Sequence, residues 1–143
     1  MTAEKQQVNV EAQRTTGIGR AWRVGPRVLV MAEDPDLGDW LLEEFQNSGC
    51  AVALATRGRD GLGLLRTGLV DLVFSEMALP DLPGMDLLQE VRSMKKVPKV
   101  ILTTAHPSEF LASRAIASGA SAVLYKPFGM DQLLAAVAQA LGN

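Results

Sequence analysis

The sequence predicts a doubly wound α/β domain, in which a parallel five-stranded sheet carries helices on both faces. Five short apolar runs alternate with five helical segments over residues 26–143. The apolar runs are continuous, without polar alternation, which is typical of strands that are covered on both faces. Short connections between strands and helices favour parallel strands joined by right-handed crossovers.

Each predicted element follows from its residue types. The strands are short runs of aliphatic and β-branched residues, at 27–32, 50–56, 70–76, 99–105 and 121–126. The helices place apolar residues on one face and several end at glycine, and they span 34–49, 57–68, 83–94, 108–119 and 131–142. The second helix is the weakest, because Gly58, Gly61 and Gly63 each lower helix stability.

Composition limits the classes of function. Apolar residues make up 48% and charged residues 21% of the 143, as in soluble globular proteins. No apolar run approaches the roughly 20 residues that span a membrane, and no secretory signal precedes the domain, so we expect a cytoplasmic protein without membrane attachment. The single cysteine, Cys50, excludes an internal disulfide framework. A net charge of −2 gives no electrostatic match for nucleic acid.

Residues 1–25 differ from the remainder of the chain. They contain four basic and two acidic residues, whereas residues 26–143 contain ten basic and fourteen acidic ones. The first segment shows neither a helical nor a strand period, so we expect a disordered or loosely ordered extension. An alternative is a docking arm that uses Trp22 and its neighbouring arginines. Residues 26–143 form the predicted domain.

Polar residues lie where the predicted strands end. Parallel strands bring their carboxyl ends to one edge of the sheet, and ligands bind beyond that edge. The residues at this edge are Ala32, Glu33, Asp34, Glu76, Thr104 and Lys126. Carboxylates placed there could hold a divalent cation, and a lysine with a hydroxyl could hold a phosphoryl oxygen. Alternatively, the lysine is a buried partner for the neighbouring acids.

Four segments resemble the receiver domain of two-component response regulators, over about residues 26–142. They are RVLVMAEDPDLGDWLLEEF, DLVFSEMALPDLPGMDLL, KVILTTA and GASAVLYKPF, in the family's order and spacing. The resemblance implies a flavodoxin-like (βα)5 fold with strand order 2-1-3-4-5. It implies a signalling module without enzymatic activity of its own, in which an aspartate accepts a phosphoryl group from a histidine kinase. Implied partners are such a kinase, an output domain or another signalling protein, and a homodimer is a further option.

The acidic positions of the family are only partly kept. The phosphoacceptor aspartate corresponds to Glu76, and the acidic pair that binds Mg²⁺ corresponds to Ala32 and Glu33, with Asp34 at a more variable acidic position. Glutamate is one methylene longer, so an acyl phosphate on it would be displaced by about 1.5 Å. A misplacement of this size strongly lowers the rate of phosphoryl transfer. Ala32 also supplies no ligand for the metal ion that assists the reaction. We expect no cofactor, and weak or no Mg²⁺ binding through Glu33 and Glu76.

In the family, the remaining positions belong to residues that respond to the phosphoryl group. The hydroxyl residue corresponds to Thr104 and the phosphate-pairing lysine to Lys126, while the switching aromatic corresponds to Val123. Glu76 could accept hydrogen bonds from Lys126 and from Thr104, and so imitate the phosphorylated state permanently. A plain ion pair between Glu76 and Lys126, linking the third and fifth strands, is the alternative. Without the aromatic, coupling between the threonine and the output face looks lost.

Three functions remain open at this point. The first is an atypical, phosphorylation-independent receiver that binds a partner through its fourth helix, fifth strand and fifth helix. The second is a phosphorylatable, Mg²⁺-dependent receiver in a working phosphorelay. The third is a flavodoxin-like electron carrier, although the acidic loop AEDPD after the first strand would repel a phosphate. Asp81 is expected to be an exposed turn residue and His106 a solvated loop residue.

Overall fold

The computed structural model describes residues 25–142, which form a five-stranded parallel sheet flanked by five helices. The strands are β1 (Arg27–Met31), β2 (Ala51–Ala55), β3 (Leu72–Glu76), β4 (Lys99–Thr104) and β5 (Ala122–Tyr125). The helices are α1 (Pro35–Asn47), α2 (Gly58–Leu65), α3 (Gly84–Arg92), α4 (Glu109–Ala117) and α5 (Met130–Ala140). The strand order is β2-β1-β3-β4-β5, so the predicted fold class and topology are confirmed.

Two apolar layers cover the sheet. Helices α1 and α5 pack on one face around Phe45, Phe74 and Leu133, and α2, α3 and α4 pack on the other around Met31 and Leu88. Consecutive residues of a strand point to opposite faces, which is why every strand contributes to both layers. This two-sided burial accounts for the continuous apolar runs in the sequence.

Helix α2 is shorter than its sequence segment. The segment was predicted to be helical over 57–68, but the helix ends at Leu65 and the chain turns through Arg66 to Gly68. Its glycines allow a close approach to the sheet, because a Cβ atom on Gly61 would lie 2.7 Å from the Met31 sulphur. The glycines that lower the helix propensity of this segment therefore also let the helix pack closely on the sheet.

The strand register brings the ends of β3, β4 and β5 together at the carboxyl edge. Glu76 lies beside Thr103 of β4, and Thr104 lies beside Tyr125, which precedes Lys126. Each of these positions lies one strand spacing, about 4.8 Å, from its neighbour. This register positions the candidate site.

Other sequence expectations concern the start of the chain, the thiol and membranes. The predicted extension lies outside the described residues except for Gly25, whose N–H donates to the Gly49 carbonyl at 2.9 Å. Cys50 is buried immediately before β2, and burial raises the pKa of its thiol. Within residues 25–142, no helix combines the length and the apolar character needed to cross a bilayer.

Candidate functional site

Glu76, the last residue of β3, lies at the centre of the carboxyl edge and makes two hydrogen bonds. The Lys126 ammonium donates to Glu76 Oε2 at 2.9 Å. The backbone N–H of Glu33, just after β1, donates to Glu76 Oε1 at 2.8 Å. The carboxylate of Glu76 in β3 is therefore linked to the residue after β1 and to the residue after β5. The second link is the predicted pairing with Lys126.

The Glu76–Lys126 pair is partly shielded from solvent. The exposed fraction of the side chain is 14% for Glu76 and 28% for Lys126. Charge-assisted hydrogen bonds in such surroundings are shorter and stronger than neutral ones. Water at the rim still screens the pair, so its contribution to stability lies between that of a surface pair and that of a buried pair.

The residues at this edge do not fit a magnesium site. Ala32 is 2% exposed, packs in the apolar layer beneath α1 and carries no oxygen ligand in its side chain. Asp34 accepts a hydrogen bond from the Asp36 N–H at 3.0 Å and caps α1. Both oxygens of Glu76 already accept hydrogen bonds. Within residues 25–142, no cluster of three or more acidic, histidine or cysteine side chains is placed to hold a metal ion.

Thr104 ends β4 at this edge, but its hydroxyl is engaged elsewhere. Its Oγ1 accepts a hydrogen bond from the His106 N–H at 3.1 Å, within the loop that leads to α4. Among the described residues, no hydrogen bond joins Thr104 to Glu76, so the suggested bond between these two side chains is absent here. A threonine hydroxyl at the end of a strand can accept from a backbone N–H two residues later, and the sequence spacing alone did not indicate this local bond.

Val123, at the position of the switching aromatic, lies in the middle of β5. It is half-buried and packs against the apolar layer beneath α3 and α4. A valine in this place fills space without the reach or the polar end of a tyrosine. Tyr125, two residues later, lies beside Thr104 in the register of β4 and β5.

Asp81 has a structural role that the sequence did not reveal. It is exposed, as expected, but its carboxylate accepts hydrogen bonds from the N–H groups of Gly58 (2.7 Å) and Arg59 (3.0 Å) at the start of α2. These two bonds hold the pKa of Asp81 below its ordinary value. The contact joins loops 22 and 23 residues apart in sequence, and no local pattern could have indicated it.

Two further polar residues near this edge, His106 and Ser75, lie outside the pocket. His106 is exposed, and only its backbone N–H, which donates to Thr104, belongs to the described hydrogen-bond network of the site. Ser75 is fully buried, and its hydroxyl donates to the Glu76 carbonyl at 3.0 Å. The pocket is therefore defined by Glu76, Lys126 and the Glu33 backbone, with Thr104 at its margin.

Comparison with known proteins gives the same class that the fold and the pocket define. Residues 28–138 match the response regulator receiver domain, and the chain belongs to this family. The transcriptional regulatory protein CusR of Escherichia coli K12 is 32% identical over 111 residues, which cover 78% of this chain and 49% of CusR. GlrR of the same strain is 33% identical over 114 residues, or 80% of this chain and 26% of GlrR. The chain thus spans half or less of the length of these relatives.

Solved receiver domains share the architecture. The signal receiver domain of a putative LuxO repressor from Vibrio parahaemolyticus superimposes with a TM-score of 0.76 at 29% identity, covering 81% of this chain and 89% of that domain. The non-phosphorylated HemR receiver domain of Leptospira biflexa gives 0.76 at 26% identity, covering 83% and 96%. The chain is a response regulator receiver domain of two-component signalling, and this membership favours signalling over electron transfer.

Proposed function

We propose that this receiver is a phosphorylation-independent signalling module, without enzymatic activity, that acts in the cytoplasm by binding a partner protein. The observation that carries the proposal is the Glu76 carboxylate, which accepts hydrogen bonds from Lys126 and from the Glu33 backbone. A permanent anion thereby occupies the position at which a receiver would form its acyl phosphate. Its single charge and two oxygens reproduce part of the charge and acceptor set of a phosphate.

Three features of the pocket oppose phosphoryl transfer to Glu76. The extra methylene displaces the acceptor oxygen from the position that an aspartate would give it, and in-line transfer tolerates little displacement. Lys126, the cation that would stabilise the transferred group, is already bound to Glu76. Ala32 leaves the metal site without one anchor, and a metal ion supplies much of the charge stabilisation in phosphoryl transfer.

The surface formed by α4, β5 and α5 supports binding to a protein partner. Five large apolar side chains are exposed there, namely Phe110, Leu111, Ile116, Met130 and Leu134. Large exposed apolar patches mark interaction sites on soluble proteins, and these five side chains are the candidates for such a site here. A histidine kinase, an output domain, another signalling protein or a second copy of the chain could bind there, and we propose no direct binding of nucleic acid.

The decisive experiment is phosphorylation by acetyl phosphate with Mg²⁺, followed by intact-mass measurement. We expect no mass gain for the native chain. Glu76→Asp alone should remain unlabelled, because Ala32 still lacks a metal ligand, whereas Glu76→Asp combined with Ala32→Asp should gain one phosphoryl group. Glu76→Gln is the matched control without a carboxylate. Ready labelling of the native chain would instead identify the second candidate, a phosphorylatable Mg²⁺-dependent receiver.

A second measurement reports on the pocket without covalent chemistry. Beryllofluoride with Mg²⁺ imitates the phosphoryl group, and its binding shifts the backbone amide signals of nearby residues in NMR spectra. We expect the signals of Glu76 and Thr104 to stay unchanged in the native chain at millimolar Mg²⁺. Saturable shifts at these two residues would contradict the proposal even if the covalent product were too short-lived to detect.

A further inference from the structure

An apolar groove lies on the α2 face of the sheet, at the end remote from Glu76. It has a volume of about 340 Å³. Its walls come from the beginnings of β1 and β2, the last turn of α2 and the connection to β3, and the residues used below are Arg27, Leu29, Ala51, Ala53, Leu64 and Leu69. Leu64 and Leu69 are 39% and 56% exposed, so the groove presents aliphatic surface to solvent.

The groove exists because α2 is too short to cover the strands beneath it. The helix packs closely on the carboxyl halves of the strands, where Gly61 meets Met31, and ends at Leu65. On the same face, the amino-terminal halves of β1 and β2 present Leu29 and the small side chains of Ala51 and Ala53. Two alanines on the outer strand of a sheet leave a depression that a larger side chain would fill.

The described part of the chain begins close to this groove. Gly25 donates its N–H to the Gly49 carbonyl at 2.9 Å, and the Pro26 carbonyl accepts the Ala51 N–H at 3.1 Å. Residues 25 and 26 thus lie against the start of β2, and Arg27 itself lines the groove. Trp22 precedes Gly25 by three residues in the sequence, a separation that a fully extended chain spans in about 10 Å.

The chemistry of that segment matches the groove. Residues 18–24, IGRAWRV, contain the apolar residues Ile18, Trp22 and Val24, with Arg20 and Arg23 between them. The groove surface is almost entirely apolar, and Arg27 is the charged residue among the described residues that line it, so the apolar side chains of the segment, and not its arginines, match the groove. Tryptophan buries about 150–250 Å² when it is packed, more than any aliphatic side chain available upstream.

We propose that the segment 18–24 of the same chain folds back on the domain and that Trp22 occupies this groove. The segment would then complete the apolar layer that α2 leaves open and would shield the outer strand β2 from other chains. This inference concerns the end of the molecule opposite the pocket, and it does not depend on whether Glu76 can be phosphorylated.

The test uses ¹⁵N–¹H spectra of the full chain, with and without Trp22→Ala. We expect the amide shifts caused by Trp22→Ala to concentrate at Ala51, Ala53 and residues 64–70. Val8→Ala, a control farther along the same extension, should leave these signals in place. Shifts confined to the immediate sequence neighbours of Trp22 would overturn the proposal.

Fluorescence provides the reciprocal test from the side of the groove. In a Trp40→Phe background, Trp22 is the only indole, and we expect blue-shifted emission with reduced quenching by acrylamide. Leu69→Lys in the groove should shift the emission to the red, whereas Val97→Lys, at a similarly exposed position outside the groove (52% against 56%), should not. Emission typical of an indole in water would overturn the proposal, as would protection that disappears on dilution, since it would assign the groove to another copy.

Discussion

Two consecutive strand–loop–helix units of this domain have the same order of elements, but their helices bury different numbers of residues in the core. The first consists of β3 and α3 and carries Glu76, and the second consists of β4 and α4 and carries Thr104. Both helices have nine residues. Helix α3 buries four of them, Gly84, Leu87, Leu88 and Val91, whereas α4 buries only Ala115.

The polar contacts of the two units differ in the same direction. In the first unit, Glu76 is bonded to Lys126 and to the Glu33 backbone, and Asp81 in the following loop bonds to the start of α2. In the second unit, the Thr104 hydroxyl bonds only within its own loop, to His106. The first unit thus has side-chain bonds to three other parts of the chain, whereas the second is bonded to another element through Thr103, whose hydroxyl donates to the Leu124 carbonyl of β5 at 3.0 Å.

This difference separates a unit whose helix is packed into the core from one that leaves large apolar side chains exposed. The fixed unit keeps the anion of Glu76 in a constant position. The loosely attached unit leaves Phe110 and Ile116 exposed by 68% and 47%, at the cost of apolar burial that would otherwise stabilise α4. A partner that covers these side chains would recover that burial.

The largest expected contrast is in core truncation. Leu88→Ala removes a side chain that is 1% exposed and should lower the free energy of unfolding by about 2–5 kcal/mol. Phe110→Ala, in the other helix, should change it by no more than about 0.5 kcal/mol. Urea unfolding followed by circular dichroism measures both variants, and equal losses would refute the difference in attachment.

Removal of a charge at the pocket should give the next largest effect. Glu76→Gln leaves the Lys126 ammonium without its anionic partner and should lower the free energy of unfolding by about 1–3 kcal/mol. Thr104→Val removes one exposed acceptor of a backbone N–H and should cost about 0.5 kcal/mol. The same urea titration compares them, and a larger loss for Thr104→Val would reverse the assignment of the anchored unit.

The amino-terminal cap of α4 should contribute about 1 kcal/mol. The Ser108 hydroxyl accepts the Leu111 N–H at 3.2 Å, whereas α3 has Pro83 at its N-cap position and no side-chain cap. Ser108→Ala should therefore accelerate amide hydrogen exchange in α4 and leave α3 unchanged. Ser113→Ala, an exposed position within α4, is the control and should not accelerate it. Faster exchange in both helices would contradict independent attachment.

The smallest effect concerns pH. The Gly58 and Arg59 N–H groups hold the pKa of Asp81 below its unfolded value, so its contribution to stability is present above about pH 4 and is lost as pH falls through the lowered pKa. The thermal midpoint of the native chain should fall more between pH 6 and pH 3 than that of Asp81→Asn. Asp39→Asn, an exposed position in α1, is the control, and identical profiles for native and Asp81→Asn would exclude the contribution.

The sequence was sufficient for the fold because each strand is a distinct apolar run. It was also sufficient for the pairing of Glu76 with Lys126, since parallel topology brings the ends of β3 and β5 to one edge. Helix α2 was predicted too long by the Arg66–Gly68 turn, because leucines at helical spacing continue to Leu65 and a turn of the chain has no strong signal there.

The contacts that could not be predicted are those that use backbone donors or distant loops. The Glu33 contribution to the pocket comes from its N–H, which every residue type except proline has. Asp81 reaches the start of α2 only because Gly58 has no side chain, since a Cβ atom there would lie 2.2 Å from the Leu82 Cβ. The Thr104 hydroxyl accepts a hydrogen bond from the His106 N–H, and among the described residues it makes none to the Glu76 carboxylate, an outcome that depends on loop geometry.

The buried thiol of Cys50 gives this chain an internal reporter of opening. Only the thiolate reacts with alkylating reagents, and burial both blocks access and raises the pKa of this group. Modification must therefore wait until the start of β2 separates from its neighbours. Because the sequence contains no second cysteine, the rate of alkylation in native conditions measures that separation directly, without any engineered label.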